Sequence, residues 1–282
     1  MTSSSAGRVA GKVAFITGAA RGQGRAHALR LAEEGADIIA VDLCEDVDTA
    51  GYPGATEADL AETAAAVEKL DRRIVTAKAD VRELGGLQSA LDRGVAELGR
   101  LDIVVANAGI AGSGMPTEML GDHAWNTMLD INLTGVWHTA KAAVPHLTGP
   151  DGGSIILTSS MLGLRGGGYM AHYASAKHAL VGLMTSLANE LAPRWIRVNS
   201  IHPGNVRTPM VDNPHFFRTV RPDLAEPTLA DAAEVVGRFH LLPVPFLDAR
   251  DISNAVLFLA SEEARYITGV ALPVDAGAVA KF

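Results

Sequence analysis

The chain has 282 residues, 48% hydrophobic and 20% charged, with 29 Gly, one Cys and a formal net charge of −8. That length can bury roughly 70–75% of the extended chain's surface in one core, and the lone Cys44 excludes an internal disulfide and a Cys-rich zinc site, which suits a reducing cytoplasm. The acidic balance weighs against a nucleic-acid partner, and no apolar run reaches the ~20 residues of a membrane span.

Met1–Arg8 is small and polar, without an apolar signal-peptide core, and reads as a loose start. A β-branched run at 13–16 then precedes a helical stripe through Ala28, Leu31 and Ala32, closed by Gly35. A second run at 38–41 is followed by a long connection, 43–56, holding Glu45, Asp46, Asp48 and Tyr52. Next come a helix over 57–70, a strand at 74–77, a helix over 87–98 and a strand at 103–106. A long helix over 124–146 leads to a strand at 154–157, and a helix over 175–191 leads to one at 198–201. A second long connection, 204–245, is rich in Pro, His and Phe; a helix over 252–259 and a strand at 270–274 complete the pattern. Strands that are apolar throughout, alternating with helices, predict an α/β fold with a parallel sheet covered on both faces. The alternation runs from end to end, so residues 1–282 read as one domain. Connections as long as 43–56 and 204–245 are usually functional covers or disordered, the competing reading being a dispensable surface insertion.

The string from Thr17 to Gly24 follows the first strand and opens the first helix. Gly18, Gly22 and Gly24 let the backbone turn sharply and approach a pyrophosphate, whose charge the helix N-terminus favours. The spacing G-x-x-x-G-x-G is by itself a weak signal; its place between strand and helix strengthens it. Asp42 closes the second strand at a distance suited to accepting both hydroxyls of an adenosine ribose, which points to NAD over NADP. Arg21 is the counterweight, since a guanidinium there can accept a 2′-phosphate. Asp80-Val81 and Asn107-Ala108-Gly109 also stand at strand ends, where ligands sit in open α/β sheets. Asp80 suits an adenine amino group; Asn107 either touches the ligand or ties neighbouring strand ends together.

Tyr173 and Lys177 are four residues apart on one helix face, with Ser160 at the end of the fifth strand. A phenol near pKa ~10 is a poor proton acceptor at neutral pH, and a neighbouring ammonium favours its phenolate. Ser160 can polarise a carbonyl. A G-x-S-x-G elbow is missing and the nine His show no H-E-x-x-H or comparable spacing, which disfavours hydrolase chemistry and metal catalysis. Cys44, beside acidic residues, is expected to have a disfavoured thiolate and no redox role. His172 either shapes a pocket or is a loop residue, and Met115, Met119, Trp125, Met161, Met170 and Met210 are candidates for an apolar pocket or for ordinary packing.

Thr17–Gly24, Asn107-Ala108-Gly109, Asn132, Ser160, Tyr173-x-x-x-Lys177 and Pro203-Gly204 together resemble the short-chain dehydrogenase/reductase family along essentially the whole chain. The resemblance implies a Rossmann-type, doubly wound sheet of about seven strands, an NAD cofactor and hydride transfer between alcohol and ketone. It implies Tyr173 as acid/base, Lys177 as phenolate stabiliser and ribose ligand, Ser160 as substrate donor and Asn132 as holder of a relay water. Pro203, Gly204, Val206 and Thr208 would line the nicotinamide carboxamide, and Leu43 the adenosine end. Gln23, which replaces an aliphatic residue, and the 43–56 insertion resemble the carveol dehydrogenase-like, mycofactocin-coupled branch. There the insertion is understood to retain NAD through turnover, with recycling by a mycofactocin redox partner; Tyr52 is expected to pack on adenine. The substrate implied is a small apolar, terpenoid-like secondary alcohol or its ketone, and the assembly a homotetramer with no nucleic acid or membrane partner. A tail over 274–282 could reach a neighbour's pocket. Two rival readings stay open: an NADH-dependent ketone or 3-oxoacyl reductase with exchangeable cofactor, and a non-catalytic nucleotide sensor.

Overall fold

A computed structural model describes residues 7–149 and 152–281. The expectation for Met1–Arg8 therefore falls mostly outside the described residues, as does the end of the tail at Phe282. The strands are β1 (Val13–Thr17), β2 (Asp37–Asp42), β3 (Ile74–Lys78), β4 (Ile103–Ala106), β5 (Gly153–Thr158), β6 (Ile196–Pro203) and β7 (Ala271–Val274). They form one parallel sheet in the order β3-β2-β1-β4-β5-β6-β7. β1, β2 and β4 are almost wholly buried, because helices cover both faces and leave no polar side. Two core clusters result: one face packs Phe15, Ile39 and Val104 with Leu87, Leu91 and Leu180, the other Ile16, Ile38 and Val105 with Leu31 and Val256.

The helices flanking the first half are α1 (Gly22–Glu33), α2 (Glu57–Glu68) and α3 (Leu84–Leu98). Thr56 and Asp59 start α2 with a reciprocal capping box, which marks where the insertion ends. Gly35 adopts φ +91° after α1, in the role expected of it. The expected long helix over 124–146 is interrupted: α4 (Asp122–Leu129) and α5 (Gly135–Ala143) are joined by a π turn, Asp130–Thr134. Such turns insert one extra residue into a helix and gather at functional sites. α6 (Ala171–Leu191) begins four residues earlier than expected, so Tyr173 lies inside it.

The 204–245 connection is not structureless. It contains α7 (Pro214–Val220), capped by Asn213 with Pro214 in the first turn, and α8 (Leu229–Val236), opened by a Thr228–Asp231 capping box. α9 (Ala249–Ala260), capped by Asp248, packs against α1. No helix among the described residues is long and apolar enough to cross a membrane. Sheet order reverses between β1 and β4, and the crevice outside their carboxyl ends is the expected ligand position.

Candidate active site

Two adjoining cavities open at that crevice. The first is a cleft lined by Gly18, Arg21, Gly22, Gln23, Asp42, Leu43, Asp80, Val81 and Asn107–Gly109, and it runs on to Tyr173, Lys177 and Thr208. Gly18 and Gly22 have φ of +67° and +57°, so the loop needs glycine there. A Cβ at Gly24 would lie 2.0 Å from the Gly18 carbonyl oxygen, so the loop closes on itself where α1 begins. Gly24 is a packing residue and does not line the cleft.

The Asp42 carboxylate accepts the Ala20 N–H at 2.9 Å and the Cys44 N–H at 3.1 Å, holding the strand end against the glycine loop. The Asp80 carboxylate is engaged by the Arg82 guanidinium. Asn107 donates from its amide to the Thr17 and Gly18 carbonyls, which is the strand-tying role. Arg21 donates to the carbonyl of Pro53, joining the glycine loop to the 43–56 insertion. The buried Gln23 carbonyl oxygen has no hydrogen-bond partner in the protein although the residue lines both cavities. A cradle of glycines at a helix N-terminus, a carboxylate at the end of β2 and an orphaned amide oxygen fit a dinucleotide.

At the far end, Lys177 is buried, donates from Nζ to the Thr158 carbonyl at 2.9 Å and sits 5.7 Å from the Tyr173 ring centroid. Burial lowers its pKa to about 8. The Ser160 and Tyr173 side chains are hydrogen-bonded, which pulls the phenol's pKa down, but burial is the larger influence and leaves it above its ordinary value. The expected lowering of Tyr173 is therefore not present, because desolvation of the phenolate outweighs the neighbouring donor. Asn132, in the π turn, accepts the Ile110 N–H at 2.9 Å and donates to the Ile110 carbonyl at 2.8 Å and to Met128 Sδ. A Cβ on Gly109 would meet Asn132 Oδ1 at 2.8 Å and Lys177 Nζ at 3.5 Å, so these three converge. The Asn132 side chain is thus held by both backbone groups of Ile110 and by Met128.

Two buried supports escaped the sequence reading. Ser159 donates from Oγ to the Lys177 carbonyl at 2.9 Å. His202 donates from Nδ1 to the Ser160 carbonyl at 2.8 Å, while its Nε2 takes the Ser200 hydroxyl at 2.9 Å. The signal for His202 was its position just before Pro203-Gly204 at a strand end.

The second cavity, about 420 Å³, is mostly apolar and is lined by Ser160 and Tyr173 together with Met161, Met170, Met210, Phe216 and Val236. Met115, Met119 and Trp125 do not line it. Pro203, Gly204 and Val206 border this chamber and not the first cleft, whereas Thr208 borders both. His172 lies in the first turn of α6, buried against Gly112, and lines neither cavity. Cys44 is pushed up to about 11, by burial first and by Asp42 second, so like charge is the lesser cause. Tyr52 is not confined to the adenine end: it lines both cavities, and its hydroxyl oxygen accepts the Ala111 N–H at 3.4 Å.

The family model described as enoyl-(acyl carrier protein) reductase matches residues 18–279. A (−)-trans-carveol dehydrogenase from Rhodococcus erythropolis is 56% identical over 275 residues, covering 97% of this chain and 99% of that protein. The crystal structure of a carveol dehydrogenase from Mycobacterium avium in complex with NAD superposes with a TM-score of 0.96 at 59% identity, covering 98% of this chain and 100% of that one. A short-chain dehydrogenase from Mycobacterium paratuberculosis bound to NAD gives 0.87 at 42% identity, with 98% and 100% coverage. The chain belongs to the short-chain dehydrogenase/reductase family and is an NAD-dependent enzyme acting on CH–OH groups.

Proposed function

We propose that residues 1–282 form one dehydrogenase domain that oxidises a terpenoid-like secondary alcohol to its ketone and holds its NAD through turnover. The observation that carries this reading is that Ser160 and Tyr173, the latter beside the buried Lys177 of the first cleft, face an apolar chamber of about 420 Å³, a size suited to a small hydrophobic ligand. Bound NAD+ supplies the hydride acceptor. Gly18, Gly22 and the N-terminus of α1 hold its pyrophosphate, and Asp42 its adenosine ribose, while Leu43, Asp80 and Val81 border the adenine. Ser160 donates its hydroxyl to the substrate oxygen, and the Tyr173 oxygen takes the alcohol proton. The Lys177 ammonium favours the Tyr173 phenolate and would hold the nicotinamide ribose of bound NAD. Asn132 holds a water of the proton relay and, through Ile110, fixes the segment after β4 beside Lys177. Thr208, with Pro203, Gly204 and Val206, closes the nicotinamide side.

The retention of NAD is supported by the insertion's ties to the rest of the fold: Arg21 to the Pro53 carbonyl, Tyr52 to Ala111, and Asp48 to His123 at 2.8 Å. Opening the cleft requires all three to part. Reoxidation in place then calls for an external mycofactocin-type redox partner in the cytoplasm. The chain is further proposed to work as a homotetramer through α5 and α6, where Trp137 is 40% exposed. The test is to denature the freshly purified protein, quantify released NAD, and mix the intact protein with NADH and a ketone. Near-stoichiometric NAD with no more than one turnover is expected. Many turnovers with NADH alone would show an exchanging cofactor and overturn retention.

A further inference from the structure

Residues 43–56 border more than the adenosine half of the cleft. Ala50 and Tyr52 line the first cleft and also the apolar chamber. The Tyr52 ring packs against the core cluster that includes Ile110 and Met128, and its hydroxyl is tied to Ala111, the residue after the one Asn132 fixes. Burial pushes the phenol up to about 12, and Tyr173 is near enough to add to that rise. These neighbours stand at the reacting end of the cleft. Because the phenol stays protonated, it adds no charge to an apolar space.

The next residue back, Gly51, has φ +75° and presses against α7: a Cβ there would lie 2.8 Å from the His215 ring. His215 Nε2 is in turn hydrogen-bonded to Ser113 Oγ at 3.1 Å. The insertion is thus wedged between the segment after β4 and the helix whose Phe216, Thr219 and Val220 line the chamber. A wall held from two sides cannot yield to a bulkier ligand without breaking both contacts.

We propose that Tyr52 is a specificity-determining residue: the insertion supplies the chamber wall beside Tyr173 and so sets how much bulk a secondary alcohol can carry next to its carbinol carbon. This inference rests on the chamber being the alcohol site. The test follows single-turnover reduction of bound NAD at 340 nm in wild type, Tyr52→Phe and Tyr52→Ala with cyclohexanol and with a bulkier bicyclic secondary alcohol. The expected result is a shift of at least tenfold toward the bicyclic alcohol in the ratio of second-order reduction rates for Tyr52→Ala. Tyr52→Phe, which keeps the ring, should move that ratio less than threefold. Should Tyr52→Ala not fold, Tyr52→Leu keeps the core contact, removes the far half of the ring and carries the same expectation. Binding of the matching ketones to the NADH-loaded proteins, read as a rise in Tm, should follow the same order. Unchanged selectivity with faster NAD loss in Tyr52→Ala would overturn the inference while leaving the dehydrogenase reading intact. A ketone order that Tyr52→Ala does not alter would overturn it even if no alcohol were oxidised, an outcome that separately removes the proposed substrate class.

Discussion

Replacing Lys177 with Met keeps a long side chain and removes its ammonium. In the folded protein Lys177 is 3% exposed, and burial lowers its pKa from 10.5 to about 8. At about 1.4 kcal/mol per pKa unit, that displacement is a penalty of about 3 kcal/mol on folding with the charge in place. Below pH 8 the whole penalty applies. Between about 8 and 10.5 the unfolded chain holds a proton that the folded one has released, so stability rises with pH; above 10.5 the penalty is gone. Met escapes the penalty but leaves the Thr158 carbonyl without its donor, at a cost of about 1–3 kcal/mol. The two effects nearly cancel at pH 7, so Lys177→Met should be as stable as wild type, or more stable by up to about 2 kcal/mol. Between pH 7.5 and 10.5 wild type should then gain about 3 kcal/mol on the variant, or about 5 °C in Tm for a chain of this length. Paired melting curves of the cofactor-free proteins measure this, since subtraction removes every titration they share. A variant that melts several degrees lower at pH 7, with a gap independent of pH, would refute the reasoning. Alcohol oxidation should fall by about 10²–10⁴-fold regardless, because stability and activity pull against each other at this residue.

Tyr173→Phe should lose alcohol oxidation while retaining its NAD content after purification; activity within tenfold of wild type would remove Tyr173 as proton acceptor. Asp42→Ala should weaken NAD binding by about 10–100-fold, as expected for a lost charged hydrogen-bond acceptor, and raise the NADP/NAD affinity ratio. An unaltered ratio in titrations with both cofactors would show that Asp42 serves only Ala20 and Cys44. Asn132→Ala strips the Ile110 N–H and C=O of their partners, and two buried orphans cost about 2–4 kcal/mol. A Tm drop of about 3–7 °C is expected, and a drop under about 1 °C would contradict the assigned role.

The inner strands β1, β2, β4, β5 and β6 were legible because burial on both faces makes each an apolar run, a pattern independent of distant contacts. The edge strands β3 and β7 are only partly buried, and β7 starts one residue later than its apolar run, with Val270 40% exposed. Ser160, Tyr173 and Lys177 were legible by residue type and spacing. α7 and α8 were readable in principle from Asn213-Pro214 and Thr228-x-x-Asp231, but at seven and eight residues they are too short for periodicity to reveal. The π turn at Asp130–Thr134 has a different cause. An amide in a helical stretch looks like any buried polar residue until its partner is known, and the partner, Ile110, belongs to another strand's end.

Tyr52 is the sharper case of the same difficulty. Nothing periodic orders residues 43–56, so the direction of that ring is decided wholly by what meets it. The Ala111 N–H donates to its hydroxyl oxygen, and His215 blocks any side chain at the neighbouring Gly51. Both contacts come from segments that follow other strands, 59 residues away for Ala111. A loop's length can announce a cover, but which half of the ligand it covers depends on long-range contacts. Here those contacts carry the ring to the wall shared by the first cleft and the apolar chamber.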